Sequence, residues 1–112
     1  MTGPAMTGNS LTSTYHLVRQ AIVDRCCLTA VHLGEVRHFV PHSLGLDRSD
    51  RPKVLAFQYA GGTSTILPPD GDWRCFAIGD LVDVRRNGDP WKISRAFYRR
   101  ANRCVMKVDI SV

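Results

Sequence analysis

The sequence predicts a mainly β domain with one N-terminal helix, its strands curled into a small antiparallel barrel. Three observations carry that expectation. Helical spacing of apolar residues is confined to the start of the chain, Leu11 to Arg25. Beyond it lie five or six short strand-like runs separated by Gly-, Pro-, Asn- and Asp-rich turns. The chain has 112 residues, 44 % of them hydrophobic, which is enough for one core and not two. So small an antiparallel sheet must hide its edges, and rolling into a barrel does so.

Met1 to Ser10 is small and polar and reads as a disordered lead. It has neither a basic start nor an apolar stretch, so it is not expected to be a secretion signal. Within Leu11 to Arg25, Leu11, Tyr15, Val18 and Ile22 form one stripe at helical spacing. Ser10, Thr12 and Ser13 are candidate N-caps, and Arg19, Gln20 and Asp24 cover the wet side. The helix is expected to cap one open end or face of the barrel.

Cys27 to Leu33 then reads as a strand, Gly34-Glu35 as a turn, and Val36 to Pro41 as the returning arm of a hairpin. Pro41 cannot donate to a ladder, so it is expected at a strand end or edge. Ser43 to Leu46 continues extended, and Asp47 to Pro52 is a polar loop. Lys53 to Ala60 is apolar on both faces and reads as a covered central strand. Gly61 to Thr65 is a loop, and Pro68 to Asp72 a turn. Trp73 to Ile78 is the next strand, with Leu81 to Val84 as its continuation. Trp91 to Arg103 fits either a short helix or a loop. Cys104 to Val112 alternates, with Cys104, Met106, Val108, Ile110 and Val112 expected on the buried side.

The four cysteines are Cys26, Cys27, Cys75 and Cys104, and no C-x-x-C occurs. With four scattered histidines and no close ligand pairs, no metal site is expected. The thiols are expected to be reduced and buried, in a reducing cytoplasm. No cofactor motif is present. Nothing in the spacing orders a Ser, His and Asp together, pairs two carboxylates, or sets a base beside a cysteine, so no enzyme is expected. No apolar run approaches the length of a membrane-spanning helix.

Charge is distributed unevenly. The net charge is +5, yet residues 1–84 carry seven Lys/Arg against eight Asp/Glu, while residues 85–112 carry eight against two. Twelve of the fifteen cations are arginine, whose planar fork matches carboxylates and phosphates. An anionic partner follows: a nucleic acid, a nucleotide or an acidic protein surface. The rival reading is a solvated basic face.

Residues Val36 to Tyr59 resemble the WYL domain. The matching pieces are Arg37, Pro41 four positions later, Leu44, and Leu55-Ala56 after the loop. Trp73 to Leu81 is similar to the family's second motif, an aromatic-led strand followed by an Ile or Leu. The family's Trp-Tyr-Leu reads Lys53-Val54-Leu55 here, and its basic positions in the second motif fall on Ala77 and Asp80. The resemblance implies an Sm-like or SH3-like barrel. It also implies a ligand-sensing, regulatory role in which basic and polar groups on the barrel bind nucleic acids or nucleotide-like anions.

The candidate ligand residues are Arg37, His42, Arg74, Arg95, Arg99 and Arg103. Arg37 matches the family position and shares a strand face with Phe39 and Pro41, with an exposed rim arginine or a salt bridge to Glu35 as the rival. His42 follows Pro41 where the chain is expected to leave the strand, and otherwise caps loop backbone. Arg74 lies between Trp73 and Cys75, combining stacking with charge, although Trp73 and Phe76 have opposite pleat parity. Gly61 to Thr65 offers backbone N–H groups to a phosphate but lacks the lysine and spacing of a P-loop. Arg95, Arg99 and Arg103 recur every four residues beside Tyr98 and Trp91, a pattern suited to sequence-independent phosphate contact.

The expectation is therefore a non-enzymatic module, residues 11–112, that binds an oligonucleotide or nucleotide through a basic barrel face. The alternative is an interaction subunit that docks a partner protein, or a second copy of itself, through the barrel edge and the basic C-terminal segment.

Overall fold

The computed structural model describes residues 10–62, 67–91 and 104–112. Residues 1–9 of the expected lead lie outside the described residues, as do Arg95, Arg99 and Arg103 and the shape of residues 92–103; Ser10, the last residue of that lead, is described.

Helix α1 spans Leu11–Asp24. Ser10 is the cap in use: its Oγ accepts from the Ser13 N–H at 3.1 Å, satisfying one of the orphan donors of the first turn. Arg25 ends the helix in the left-handed region at φ 57°, its N–H turned back to Ala21 and Ile22. Thr14, Val18, Ala21 and Ile22 are buried. Leu11, expected in the stripe, is half exposed, because the stripe meets the sheet only from the second turn onward.

Among the described residues six strands follow: β1 (Leu28–His32), β2 (Glu35–Leu46), β3 (Pro52–Gly61), β4 (Asp72–Ala77), β5 (Leu81–Arg86) and β6 (Lys107–Ser111). The β1–β2 turn is Leu33-Gly34, one residue earlier than the sequence indicated. Both residues have positive φ, 50° and 83°, as a two-residue hairpin demands.

Pro41 does not end its strand. It lies within β2 at a register slip, pairing Ala56 while Ser43 pairs Leu55. At a bulge the missing N–H leaves no gap in the ladder. Beyond it β2 continues because β6 supplies a partner, from Ser43↔Ser111 to Leu46↔Lys107.

Every strand pairing is antiparallel, in the order β4-β3-β2-β1-β5, with β6 on the second half of β2. β5 does not continue β4. A three-residue 3-10 turn, Ile78–Asp80, carries the chain across to the far edge, where β5 pairs β1. Joining the two outermost strands by so short a link forces the sheet to curl. The expected closure into a barrel is not completed: β4 and β5 do not hydrogen-bond. Ile78, buried at the turn, packs into the inner cluster.

The curl defines two faces. The inner face packs Leu28, Ala30, Phe39, Leu44, Val54, Ala56, Phe76, Ile78, Leu81 and Val84 against Val18, Ala21 and Ile22 of α1. The outer face packs Cys27, Val40, Leu55, Phe57 and Trp73 beneath Val105, with Tyr59, Trp91 and Cys104 around them. β3 is buried on both faces, Val54 to Gln58, as its continuous apolar run predicts. Trp73 and Phe76 divide between the faces, as their parity requires.

Two expectations fail at the C-terminus. In the final run Val105 is buried, whereas Met106 and Val108 are 51 % and 57 % exposed. A register slip opposite Leu44 and Gly45 reverses the parity there. Cys75 and Cys104 are not reduced thiols but a disulfide, with Cα atoms 6.2 Å apart. β4 turns Cys75 to the outer face, and the approach to β6 lays Cys104 over it. Cys26 and Cys27 form no disulfide, and the Cys27 thiol donates to Pro90 O at 3.3 Å. No helix among the described residues is long and apolar enough to cross a membrane.

Candidate anion site at the open end of the sheet

Arg37 points inward. It pairs Ala30 on β1 and precedes the inner-face Phe39 by two residues. Only 4 % of it is exposed. Its Nη1 donates to Gln58 Oε1 at a long 3.5 Å, its Cζ lies 5.7 Å from the Phe76 ring centroid, and its Nε–H meets no acceptor. Neither rival reading survives: Arg37 is not on the rim, and it makes no salt bridge to Glu35. Among the described residues no carboxylate lies in ion-pair contact with it. Burial pulls its pKa down, Glu35 raises it, and Arg74 lowers it, yet a guanidinium keeps its proton. A buried charge left unpaired in this way costs several kcal/mol.

Gln58 stands in an otherwise apolar strand for a visible reason. Its Nε2 donates to Ala60 O at 3.1 Å and Gly62 O at 2.9 Å. That fixes the amide so that Oε1 faces Arg37. Gly62 in turn donates its own N–H to Val36 O at 2.9 Å. The glycine pair therefore knits strand ends together, and Thr63 to Thr65 lie outside the described residues.

Arg74 is also on the inner face, opposite Ala56 and two residues from Phe76. Asp72 Oδ2 holds its Nη1 at 3.0 Å. Arg37 and Arg74 are close enough that Arg74 lowers the Arg37 pKa. Two candidates far apart in sequence are thus gathered at one end of the inner face.

His32, at the end of β1, completes this surround. Its ring lies 4.8 Å from Phe76, and its Nδ1 is buried without a partner. Burial lowers its pKa most, Arg37 lowers it further, and Asp80 opposes them. The ring is accordingly neutral near pH 7.

His42 belongs elsewhere. It is the extra residue of the Pro41–Ser43 slip and lies edge-on to Trp73 at 5.1 Å in the outer cluster. Burial first, then Arg25, lowers its pKa. Because β2 runs on past Pro41, His42 is a strand residue on the opposite side of the sheet from Arg37.

Of the basic C-terminal quarter, Arg86 is described and engaged: it bonds Asp24 at 2.6 Å and Cys26 Sγ at 3.4 Å, tying β5 to the end of α1. A second polar assembly, on the outer face, runs from His38 through Thr29 and Asn87 to Tyr59 and Asp89, with links of 2.7–3.0 Å. Burial and the bond to Asp89 raise the Tyr59 pKa. This chain fastens residues 87–89 over the sheet.

Sequence reasoning missed His32 and Gln58. The signals were present: His32 shares parity with Leu28 and Ala30, and one amide interrupts the apolar run of β3. The arrangement can bind an oxyanion. No nucleophile stands beside a base there, and no three His, Cys, Asp or Glu side chains gather into a metal-sized group among the described residues. No family model matches the chain, and neither the curated proteins nor the solved structures contain a match to it.

Proposed function

We propose that the protein is a non-enzymatic binding module whose ligand presents an anionic group, a nucleotide or oligonucleotide phosphate, to Arg37 and Arg74. One observation carries the reading: Arg37 is buried as a cation, its Nε–H lacks an acceptor, and its single side-chain hydrogen bond is long. An incoming oxyanion supplies the missing acceptor and charge together. The position of Arg37 in the WYL-like stretch agrees with this reading. The curled sheet with a 3-10 turn between its two edge strands is compatible with an open Sm-like or SH3-like barrel, which we adopt as the fold-family reading.

The test is a titration with adenosine monophosphate and with a short 5′-phosphorylated single-stranded DNA, at a series of salt concentrations. Binding that weakens steeply with salt, and that Arg37→Gln reduces about tenfold or more, is the expected result. Unchanged affinity in the variant, or no binding of either probe, refutes it.

A second reading has its own observation. Val31 pairs Val36 on one side and Val82 on the other, and Val36, Val82 and the neighbouring Leu33 are exposed. An apolar row beside the bare β5 edge favours protein docking. Such an interface would be insensitive to Arg37→Gln.

A further inference from the structure

The anion site has a third basic group that the two arginines alone do not explain. His32 and Arg37 flank one ring, Phe76, at 4.8 Å and 5.7 Å. Each carries a buried nitrogen with no partner, His32 Nδ1 and Arg37 Nε. They come from the paired strands β1 and β2 of one hairpin. A ligand that satisfied Arg37 alone would leave the histidine nitrogen still buried and unbonded.

We infer that His32 is a ligand-binding residue of this site, and that the group bound is a terminal phosphomonoester, received together with a proton on His32. The inference rests on the anion-binding reading above and specifies its ligand. A monoester dianion has three free oxygens and a double charge, enough for Arg37, Arg74 and His32 at once. A diester has two free oxygens, one charge and a substituent on each side. It therefore offers fewer oxygens and less charge to Arg37, a residue only 4 % exposed.

The charges around His32 fit this assignment. Arg37 on β2 disfavours its protonation. Asp80 in the 3-10 turn favours it, and Glu35 on β2 pairs with His32. Asp72 is already engaged with Arg74, and Glu35 and Asp80 lie at the exposed margin. A dianion beside Arg37 reverses the balance: it cancels the repelling charge and offers His32 an acceptor. The imidazole then takes a proton from solvent and donates it in a charge-assisted hydrogen bond. No covalent bond changes.

The experiment compares adenosine 5′-monophosphate with adenosine 3′,5′-cyclic monophosphate, the same nucleoside carrying a monoester or a diester. Calorimetry in two buffers of different ionisation enthalpy counts the protons exchanged. Expected are monoester binding about tenfold or more tighter than diester binding, and net proton uptake that disappears in His32→Gln. The unmodified protein gives a second measurement, by following the His32 ring resonances against pH. The midpoint should rise by about one unit or more when the monophosphate is added. Equal affinity for monoester and diester, or a His32 midpoint unmoved by ligand, overturns the inference. If Arg37→Gln still abolishes binding in that case, the anion-binding reading stands without it. If neither nucleotide binds the unmodified protein, both fall.

Discussion

Phe76 on β4 touches His32 on β1 across the inner face, ring centroids 4.8 Å apart, although β3 and β2 separate their strands in the sheet order. The same ring packs on Phe39 at 5.1 Å and lies beneath the Arg37 guanidinium. One side chain therefore holds the curl and lies under the proposed anion site.

Phe76→Ala should destabilise the domain by about 3–5 kcal/mol, as truncation of a fully buried aromatic does when its neighbours cannot collapse. Chemical denaturation measures it. A loss below about 1 kcal/mol would mean that the curl does not depend on this ring.

Arg37→Met removes a buried charge while keeping an unbranched chain of similar reach. If the arginine is retained for a ligand and not for the fold, the variant should be as stable as the parent or more so, by about 1–3 kcal/mol, while anion binding is lost. A strongly destabilised Arg37→Met would assign the guanidinium to structure instead.

Two histidines set a pH dependence. The pKa values of His32 and His42 are both lowered from 6.5, chiefly by burial. The unfolded chain therefore binds these protons more readily than the folded one. Their contribution to stability is fully present above pH 6.5 and is lost as pH falls from there through the lower folded values. The melting temperature should drop between about pH 7 and about pH 5, and the drop should shrink in a His32→Gln, His42→Gln double variant. An identical decline in both proteins would place the sensitivity elsewhere.

The Cys75–Cys104 link closes a loop with a sequence separation of 29. Removing a cross-link of that span costs about 3–4 kcal/mol through the unfolded chain's regained freedom. Reduction, or Cys75→Ser, should lower the melting temperature accordingly, and hydrogen exchange should rise first in β6. Equal melting temperatures with and without reductant would show that the C-terminal strand is held by its pairing to β2 alone.

Local chemistry determined much of this protein from its sequence. Ser10 and the spacing of Val18 and Ile22 set the helix, because capping and a 3.6-residue period act within a few residues. The two-sided apolar run of β3 marked it as central, and pleat parity alone separated Trp73 from Phe76 and put Arg37 beside Phe39. Tertiary structure decided what depends on pairing between distant segments. It sent β5 across to β1, brought Cys104 to Cys75, and set His32 beside the arginines. It also carried β2 past Pro41, which moved His42 to the opposite face. The reason is geometric: one extra residue at a bulge inverts every side chain after it, and whether that bulge is tolerated is settled by the partner strand that arrives.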